Sequence, residues 1–324
     1  MANRYYVGGS GSQWDLTSSW SASSGGASGA SVPTSSDNVF FDVNSGLQSA
    51  STIGYSSASS LPCSNATFSQ GGIITFSGSM TLEVYGNAVL LNISSSPSLQ
   101  VSFYGSGTQT LQSNGTVGIY NSYAAGTVTL LDTLNADAIE IYSGTFDLNG
   151  QNVNTEAFVV ISGTSTIYLR TGTVTCSSAF IINSSGITLV PGTATVKIVG
   201  SFGLNGQTVT NLVTTGSVIF PTAGTITNLS LARGFTYQFV SSASNLTITN
   251  PIVQTGTGVT TLSLQGGSSN YTITSPVQQY LSDISIGNCT AAGTGVPFRA
   301  IGSSSVSPSC VNWIKPYAIV FAGD

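Results

Sequence analysis

The sequence predicts an all-β protein folded as a right-handed parallel β-helix, with coils of about 20 residues and a cap at each end. A similar phrase of strand, Ser/Gly corner and strand begins at Ala138, at Ala157 and again at Ala179, which is a nearly constant interval. Apolar and polar residues alternate within each phrase, which is the period of a strand with one buried face. Only 5% of the residues are charged, and neutral hydroxyl and amide side chains can stack in register without charge repulsion.

Residues 1–46 differ from the rest and are predicted to form an aromatic cap or attachment module. They hold two of the three tryptophans, and the first firm strand is expected at 37–42. Large apolar side chains at the end of a solenoid cover the core that the first coil would leave open. The same module could also attach the chain to a larger assembly. The residues assigned to these roles are Tyr5, Tyr6, Trp14, Trp20, Phe40 and Phe41.

Residues 47–274 are predicted to form the β-solenoid itself. Its pattern is loose and Ser-rich up to Gly72, after which strand phrases recur without a Pro-rich or charge-rich linker. Residues 202–209 restate residues 146–153 at an offset of 56, close to three coils. Asn-Gly dipeptides that begin at 114, 149 and 205 are typical of corners, because both residues tolerate the left-handed backbone of tight turns.

Residues 275–324 are predicted to form a C-terminal capping or assembly segment. The apolar strand at its end either covers the solenoid or forms an arm that pairs with a neighbouring subunit. Cys289 and Cys310 are separated by one coil length, so they could lie one above the other. The sequence leaves open whether these two cysteines form a disulfide or remain as two thiols. The residues assigned to assembly or attachment in this segment are Trp313, Tyr317 and Phe321.

The composition restricts the enzyme classes that the chain can belong to. Histidine is absent, which excludes Ser-His-Asp catalysis and His-based metal sites. Glycoside hydrolysis needs only two carboxyl groups about 5 to 9 Å apart. Glu140 and Asp147 are expected to point outward, and Glu156 could stack near one of them. A solvated polar face is the favoured interpretation. The acidic candidates are Asp132, Asp137, Glu140, Asp147 and Glu156, and no catalytic, cofactor-binding or metal-binding residue is assigned.

Charge and hydropathy indicate which partners to expect. A net charge of −5 with six basic residues disfavours a nucleic-acid-binding surface. The first residues lack a basic region followed by an apolar core, and no apolar run approaches the ~20 residues of a membrane span. We therefore expect neither a secretory signal nor membrane insertion. A chain that looks built for the outside of an assembly but lacks an export signal fits a part that leaves the cell inside an assembled particle.

The N-terminal 42 residues resemble a known group of proteins. The matching stretches are Arg-Tyr-Tyr-Val-Gly-Gly-Ser-Gly at 4–11, the two tryptophans with their neighbours, and Ser-Val-Pro-Thr-Ser-Ser-Asp-Asn-Val-Phe-Phe-Asp at 31–42. Together they resemble the N-terminal signature of Ser/Gly/Thr-rich β-helical structural proteins of tailed bacteriophages. The resemblance specifies the group and no activity.

The resemblance implies a non-enzymatic structural protein of a tailed-phage virion, made in the host cytoplasm. A tail fibre or spike that contacts a host surface polysaccharide or receptor is the favoured role. The expected partners are other virion proteins and further copies of the chain, as a homo-oligomer for which the resemblance implies a trimer. The alternatives are a capsid decoration protein, a polysaccharide-degrading tailspike and a bacterial surface adhesin, which the missing signal disfavours.

Overall fold

The structure, a computed structural model, confirms the predicted fold class: it is all-β, and its strands pair in parallel as coils of a β-solenoid, each about 21 residues long. It describes residues 1–47, 51–54, 60–69, 72–91, 93, 99–113, 116–123, 125–161, 163–264 and 270–315. Within these residues the helical content is one 3-10 turn, Thr17–Ser19. No helix in the same residues is long and apolar enough to cross a membrane.

The chain divides into two compact units, which we describe separately. The first unit comprises residues 1–175 and 186–192, and the second comprises residues 176–185 and 193–324. In chain order the strands up to the division are β1 (Asn3–Tyr6), β2 (Trp20–Ser21), β3 (Asn38–Phe41), β4 (Ser51–Ile53), β5 (Ser60–Cys63), β6 (Ala66–Phe68), β7 (Ile74–Phe76), β8 (Met80–Val84), β9 (Ala88–Leu90), β10 (Leu99–Phe103), β11 (Thr108–Gln112), β12 (Thr116–Ser122), β13 (Thr127–Leu130), β14 (Leu134–Ile141), β15 (Thr145–Asp147), β16 (Val153–Val160), β17 (Thr166–Tyr168), β18 (Thr173–Ile182), which has residues in both units, and β19 (Thr188–Val190).

Two long stacks of strands build the first unit. One is a ten-stranded sheet in the order β19-β17-β15-β13-β11-β9-β6-β3-β1-β2. The other runs β5-β8-β10-β12-β14-β16. Strands β4 and β7 form a short third sheet. Strands β1 and β2 pair antiparallel, and the other pairings in these stacks are parallel.

The coil length is constant along the second of these stacks from β8 to β16. Thr81 pairs with Gln100, Gln100 with Ile119, Ile119 with Ala138 and Ala138 with Ala157. In each of these pairings the two residues are the same number of positions apart in the sequence. The predicted equivalence of Ala138 and Ala157 is therefore confirmed. Because the steps are equal, a residue type that recurs at this interval forms a straight row along the stack.

The second unit contains the longest described strand, β21, and its coil length varies. The numbering step between paired residues ranges from 15, between Phe298 and Trp313, to 27, between Leu246 and Ile273. Its strands are β20 (Thr195–Gly203), β21 (Thr208–Phe220), β22 (Gly224–Ala232), β23 (Thr236–Phe239), β24 (Leu246–Ile248), β25 (Val253–Thr255), β26 (Thr260–Leu264), β27 (Tyr271–Thr274), β28 (Tyr280–Ser282), β29 (Ile284–Ile286), β30 (Cys289–Ala292), β31 (Phe298–Ile301), β32 (Ser305–Val306) and β33 (Trp313–Ile314). The long strands β21 and β22 begin separate stacks of strands. Strand β21 begins the stack β21-β23-β26-β29-β32, and β22 begins both β22-β24-β27-β30 and β22-β25. Strands β28, β31 and β33 form a sheet of their own.

Inward-facing side chains fill each unit. Ile141, Leu148, Leu169 and Leu189 are all buried, as their alternation predicts. Aromatic rings recur between the aliphatic rows, and in the second unit Phe180, Phe202, Phe220, Phe239 and Tyr271 follow one another with centroids 3.9 to 6.2 Å apart. Fully burying such a side chain stabilises the fold by roughly 1.5 to 3 kcal/mol.

An aromatic cluster closes the N-terminal end of the first unit. Trp14 and Trp20 are buried and meet edge to face at 4.9 Å, and Trp20 Nε1 donates to the Trp14 carbonyl oxygen at 2.6 Å. Both rings pack on Phe41, which stacks at 4.3 Å on Phe68 of a later coil. The short antiparallel strand β2 ends the sheet beside β1, so the edge left for further pairing is short.

Asparagine side chains form ladders outside the coils. Asn38 Nδ2 donates to Asn3 Oδ1 at 3.0 Å, and Asn65 Nδ2 donates to Asn38 Oδ1 at 2.7 Å. In the second unit Asn228 Nδ2 donates to Asn211 Oδ1 at 2.8 Å, and Asn250 continues that ladder at 2.7 Å. Each amide thus satisfies the next, which is the stacking of neutral side chains that the composition predicts.

The predicted stacking of Cys289 and Cys310 is also found, because the next residues along the chain, Thr290 and Val311, form a parallel bridge. Both cysteines are unbonded thiols. Burial, which outweighs the polar contacts of Tyr271 and Trp313, raises the pKa of the Cys289 thiol to about 12. Cys310 is half-buried, and its thiol donates to the Ile286 carbonyl oxygen at 3.6 Å.

We expect the native chain to show one fast-reacting thiol, that of Cys310. Cys63, Cys176 and Cys289 are buried, and a raised pKa keeps the Cys289 thiol protonated at a pH of about 8, whereas the thiolate is the nucleophile. Titration with an aromatic disulfide reagent should release one equivalent quickly, and all four after denaturation. Cys310→Ser should abolish the fast phase. A fast phase that survives this substitution would contradict the arrangement.

Candidate functional site

Four tyrosines form a row on the outside of the first unit. Tyr85, Tyr104, Tyr123 and Tyr142 each directly follow the last residue of β8, β10, β12 and β14, one coil apart. The backbone ladder continues through them, since Tyr104 N donates to the Val84 carbonyl oxygen and Tyr123 N to that of Phe103. The preceding residues of the strands face inward, so alternation turns the tyrosines outward. We call this row the tyrosine ladder.

Neighbouring rings of the tyrosine ladder stack with nearly parallel planes. Neighbouring centroids are 5.8, 5.1 and 4.4 Å apart from Tyr85 to Tyr142, with interplanar angles of 24°, 7° and 14°. Parallel rings cannot approach closer than about 3.5 Å, so centroids 5.1 Å apart allow a lateral offset of at most about 4 Å. None of the four side chains is fully buried. Tyr85 and Tyr104 are 41% and 36% exposed, so part of their surface is open to solvent.

A second outward row runs beside the ladder and consists of Glu83, Ser102, Asn121 and Glu140. The strand register places them on successive coils. We call this row the polar floor, because Ser102 and Asn121 are 0% and 1% exposed although they point away from the core.

Hydrogen bonds connect the polar floor to the ladder. Tyr142 Oη donates to Glu140 Oε2 at 2.9 Å. With its amide oriented to satisfy its neighbours, Asn121 donates to Glu140 Oε2 at 3.3 Å and accepts from Gln100. The Ser102 hydroxyl is buried and makes no hydrogen bond within the part of the chain that the structure describes. A buried hydroxyl without a partner costs free energy.

The electrostatics of this surface are acidic. No Lys or Arg occurs between Arg4 and Arg170, so Glu83 and Glu140 have no basic neighbour in that sequence interval. Burial, and then the Glu83 carboxylate, raises the pKa of the Tyr104 hydroxyl. Burial and the hydrogen bond to Glu140 raise the pKa of Tyr142. These two hydroxyls therefore remain protonated donors at neutral pH.

The spacing of the two carboxylates does not fit glycoside cleavage. Glu83 and Glu140 are three coils apart, which is about 14 Å at the usual strand separation. Glycosidases place their two carboxyl groups about 5 to 9.5 Å apart across one bond. The surface is therefore suited to binding an extended ligand and not to hydrolysing it with this pair.

The structure corrects one expectation about the acidic candidates. Glu156 stacks on Asp137, because Ala136 pairs with Thr155 and Ala138 with Ala157. It does not lie next to Glu140, which pairs with Val159, nor next to Asp147, which pairs with Tyr168. The reason is that the acids occupy different positions within the coil, and a constant offset cannot align them.

The remaining acidic candidates have structural partners or open surroundings. Glu140 and Asp147 do face outward, as predicted, but on different stacks. Asp147 forms an ion pair with Arg170 at 2.7 Å, and Asp132 accepts from the Ser113 backbone nitrogen at 2.8 Å. Asp137 and Glu156 are both exposed, whereas a glycosidase keeps its acid protonated by enclosing it in an apolar pocket.

The predicted assembly residues fall into four groups. Tyr6, Trp14, Trp20 and Phe41 are buried in the N-terminal cluster, so a partner cannot reach them without unfolding. Tyr5 and Phe40 stack at 4.8 Å on the outer surface and are half-buried, so among the six N-terminal residues the predicted attachment role can apply directly only to this pair. Trp313 is half-buried against Phe298, edge to face at 5.3 Å. Tyr317 and Phe321 lie outside the described residues.

Reasoning from the sequence missed the tyrosine ladder, although its signal was present. Four tyrosines recur at one identical interval, and that interval predicts a row once the coil length is known. The repeated phrase was recognised by its aliphatic residues, and the tyrosines lie just after the strands.

Comparison with known proteins adds no assignment: no family model, curated protein or solved structure matches the chain. Among the described residues, no group of three or more acidic or cysteine side chains is placed to hold a metal ion. The candidate site is thus the tyrosine ladder with its polar floor.

Proposed function

We propose that the chain is a non-enzymatic structural component of a tailed-phage virion, a tail fibre or spike that contacts the host surface. The observation that carries the proposal is the tyrosine ladder, an ordered aromatic and polar surface along a solenoid whose Glu83 and Glu140 lack the carboxylate spacing of a hydrolase. The N-terminal resemblance to phage β-helical proteins supports the setting. A homo-oligomer, with a trimer as the expected number, belongs to the same proposal.

The position of the chain on the particle tests this proposal directly. Gold-labelled antibodies against the purified chain should mark the tail of the virions that encode it, and pre-incubation of host cells with the free chain should reduce adsorption. Label on the head shell with undiminished adsorption would indicate a decoration protein instead. Particles without label would rule out a virion component.

A further inference from the structure

The tyrosine ladder offers a linear polymer a repeating set of contacts. It presents four stacked tyrosine rings, none of them fully buried, over three coil steps, or about 14 Å along the stack. The C–H faces of pyranose rings are apolar and pack on aromatic faces. Sugar hydroxyls can both donate to carboxylates and accept from tyrosine hydroxyls, and both kinds of group lie side by side here.

We propose that the tyrosine ladder and the polar floor form a binding site for a neutral polysaccharide, which lies along the stack with its sugar rings against Tyr85, Tyr104 and Tyr123. Glu83 and Glu140 accept hydrogen bonds from its hydroxyls. Ser102 Oγ, which is buried and has no hydrogen-bond partner among the described residues, lies in the same row between Glu83 and Asn121.

Charge and polarity decide between the ligand classes. An acidic polysaccharide or a nucleic acid would meet the carboxylates of Glu83 and Glu140 in a stretch of sequence without Lys or Arg, whereas polyanions are bound by those basic side chains. A protein partner would need an interface with a larger and more apolar core. This surface offers only one row of partly exposed rings beside buried amide and hydroxyl groups. A neutral glycan is the class of ligand that can contact both the tyrosine ladder and the polar floor. This inference names the ligand of the surface on which the proposed function rests.

Binding of defined glycans by the full-length chain tests the inference. The probes are cellohexaose, chitohexaose and dextran as neutral chains, with hyaluronan as the acidic one, measured by calorimetry or gel retardation. At least one neutral probe should bind, and hyaluronan should not. The variant Tyr104→Ala/Tyr123→Ala should weaken binding about tenfold or more, which corresponds to the loss of two ring contacts.

Two matched variants separate ring contact from structural damage. Tyr104→Phe/Tyr123→Phe keeps the rings and should retain most of the affinity. Tyr280→Ala removes a tyrosine of similar exposure, 55%, in the second unit and should bind as the unmodified chain does. Thermal unfolding should show that the alanine pair still folds. The inference is wrong if no neutral probe binds, if hyaluronan binds equally well, or if the alanine pair changes the oligomeric state and not glycan affinity.

The two proposals can fail independently. If the chain labels virion tails and blocks adsorption, but the alanine pair blocks as well as the unmodified chain, the ladder is not the host-contacting site and the proposed function stands. If the alanine pair loses glycan affinity but virions carry no label, the binding site stands and the virion role is wrong.

Discussion

Replacing Phe41 with alanine is expected to destabilise the first unit by about 3 to 5 kcal/mol, the usual cost of removing a buried phenylalanine. The Phe41 ring contacts four others, those of Tyr6, Trp14, Trp20 and Phe68, with centroids 4.3 to 5.8 Å away. Its loss leaves a cavity beneath both tryptophans, which the short strand β2 cannot collapse to fill. For a unit of this size, Tm should fall by about 10 °C, as measured by calorimetry.

The neighbouring residue provides a control of the same chemistry. Phe40 is half-buried on the outer surface, where its ring stacks on that of Tyr5. Phe40→Ala should therefore cost about 1 kcal/mol. Equal losses for the two variants would mean that the cluster does not close the end of the first unit.

Gly172→Ala is expected to prevent correct stacking of two coils. A Cβ atom at this position would overlap the Gln151 carbonyl oxygen and lie 2.8 Å from its carbonyl carbon. Both are backbone atoms of the coil below, so no side chain can rotate away and the coils must separate. We expect a loss of more than about 4 kcal/mol, or failure to accumulate folded protein.

Gly107→Ala is the matched control, because a Cβ atom there would meet nothing within 4 Å. Its effect should be small, or slightly stabilising through the lower entropy of the unfolded chain. Far-ultraviolet circular dichroism and urea unfolding would measure both variants. Comparable stability of the two would show that the coils around Gly172 are looser than described.

The periodicity of the sequence predicted the solenoid, because an inward-facing row has to repeat in every coil. Apolar alternation around Ile139 and Ile141 shows which side chains are inside, and the recurrence of the phrase at Ala138 and Ala157 gave the correct register. Both follow from local chain geometry. The absence of long helices from the described residues could be predicted for the same reason.

The sequence predicts which side chains face inward or outward better than it predicts which residues of adjacent coils lie next to each other. The period of two assigned Glu140 and Asp147 correctly to the outside, but it does not say which residue of the next coil lies above. Corners absorb different numbers of residues, so short and long coils coexist in the second unit. The placement of Glu156 above Asp137 depends on that count, which only the register shows.

The constant coil length from β8 to β16 makes the length of this part of the first unit adjustable in whole steps. Excising residues 100–118 would bring Thr81 beside Ile119 and Tyr85 beside Tyr123, with each row still continuous. Excising one residue fewer would turn buried side chains to the solvent along the next strand. Duplication or loss of one complete coil is therefore a tolerated route by which descendants of this gene can lengthen or shorten the surface that they present.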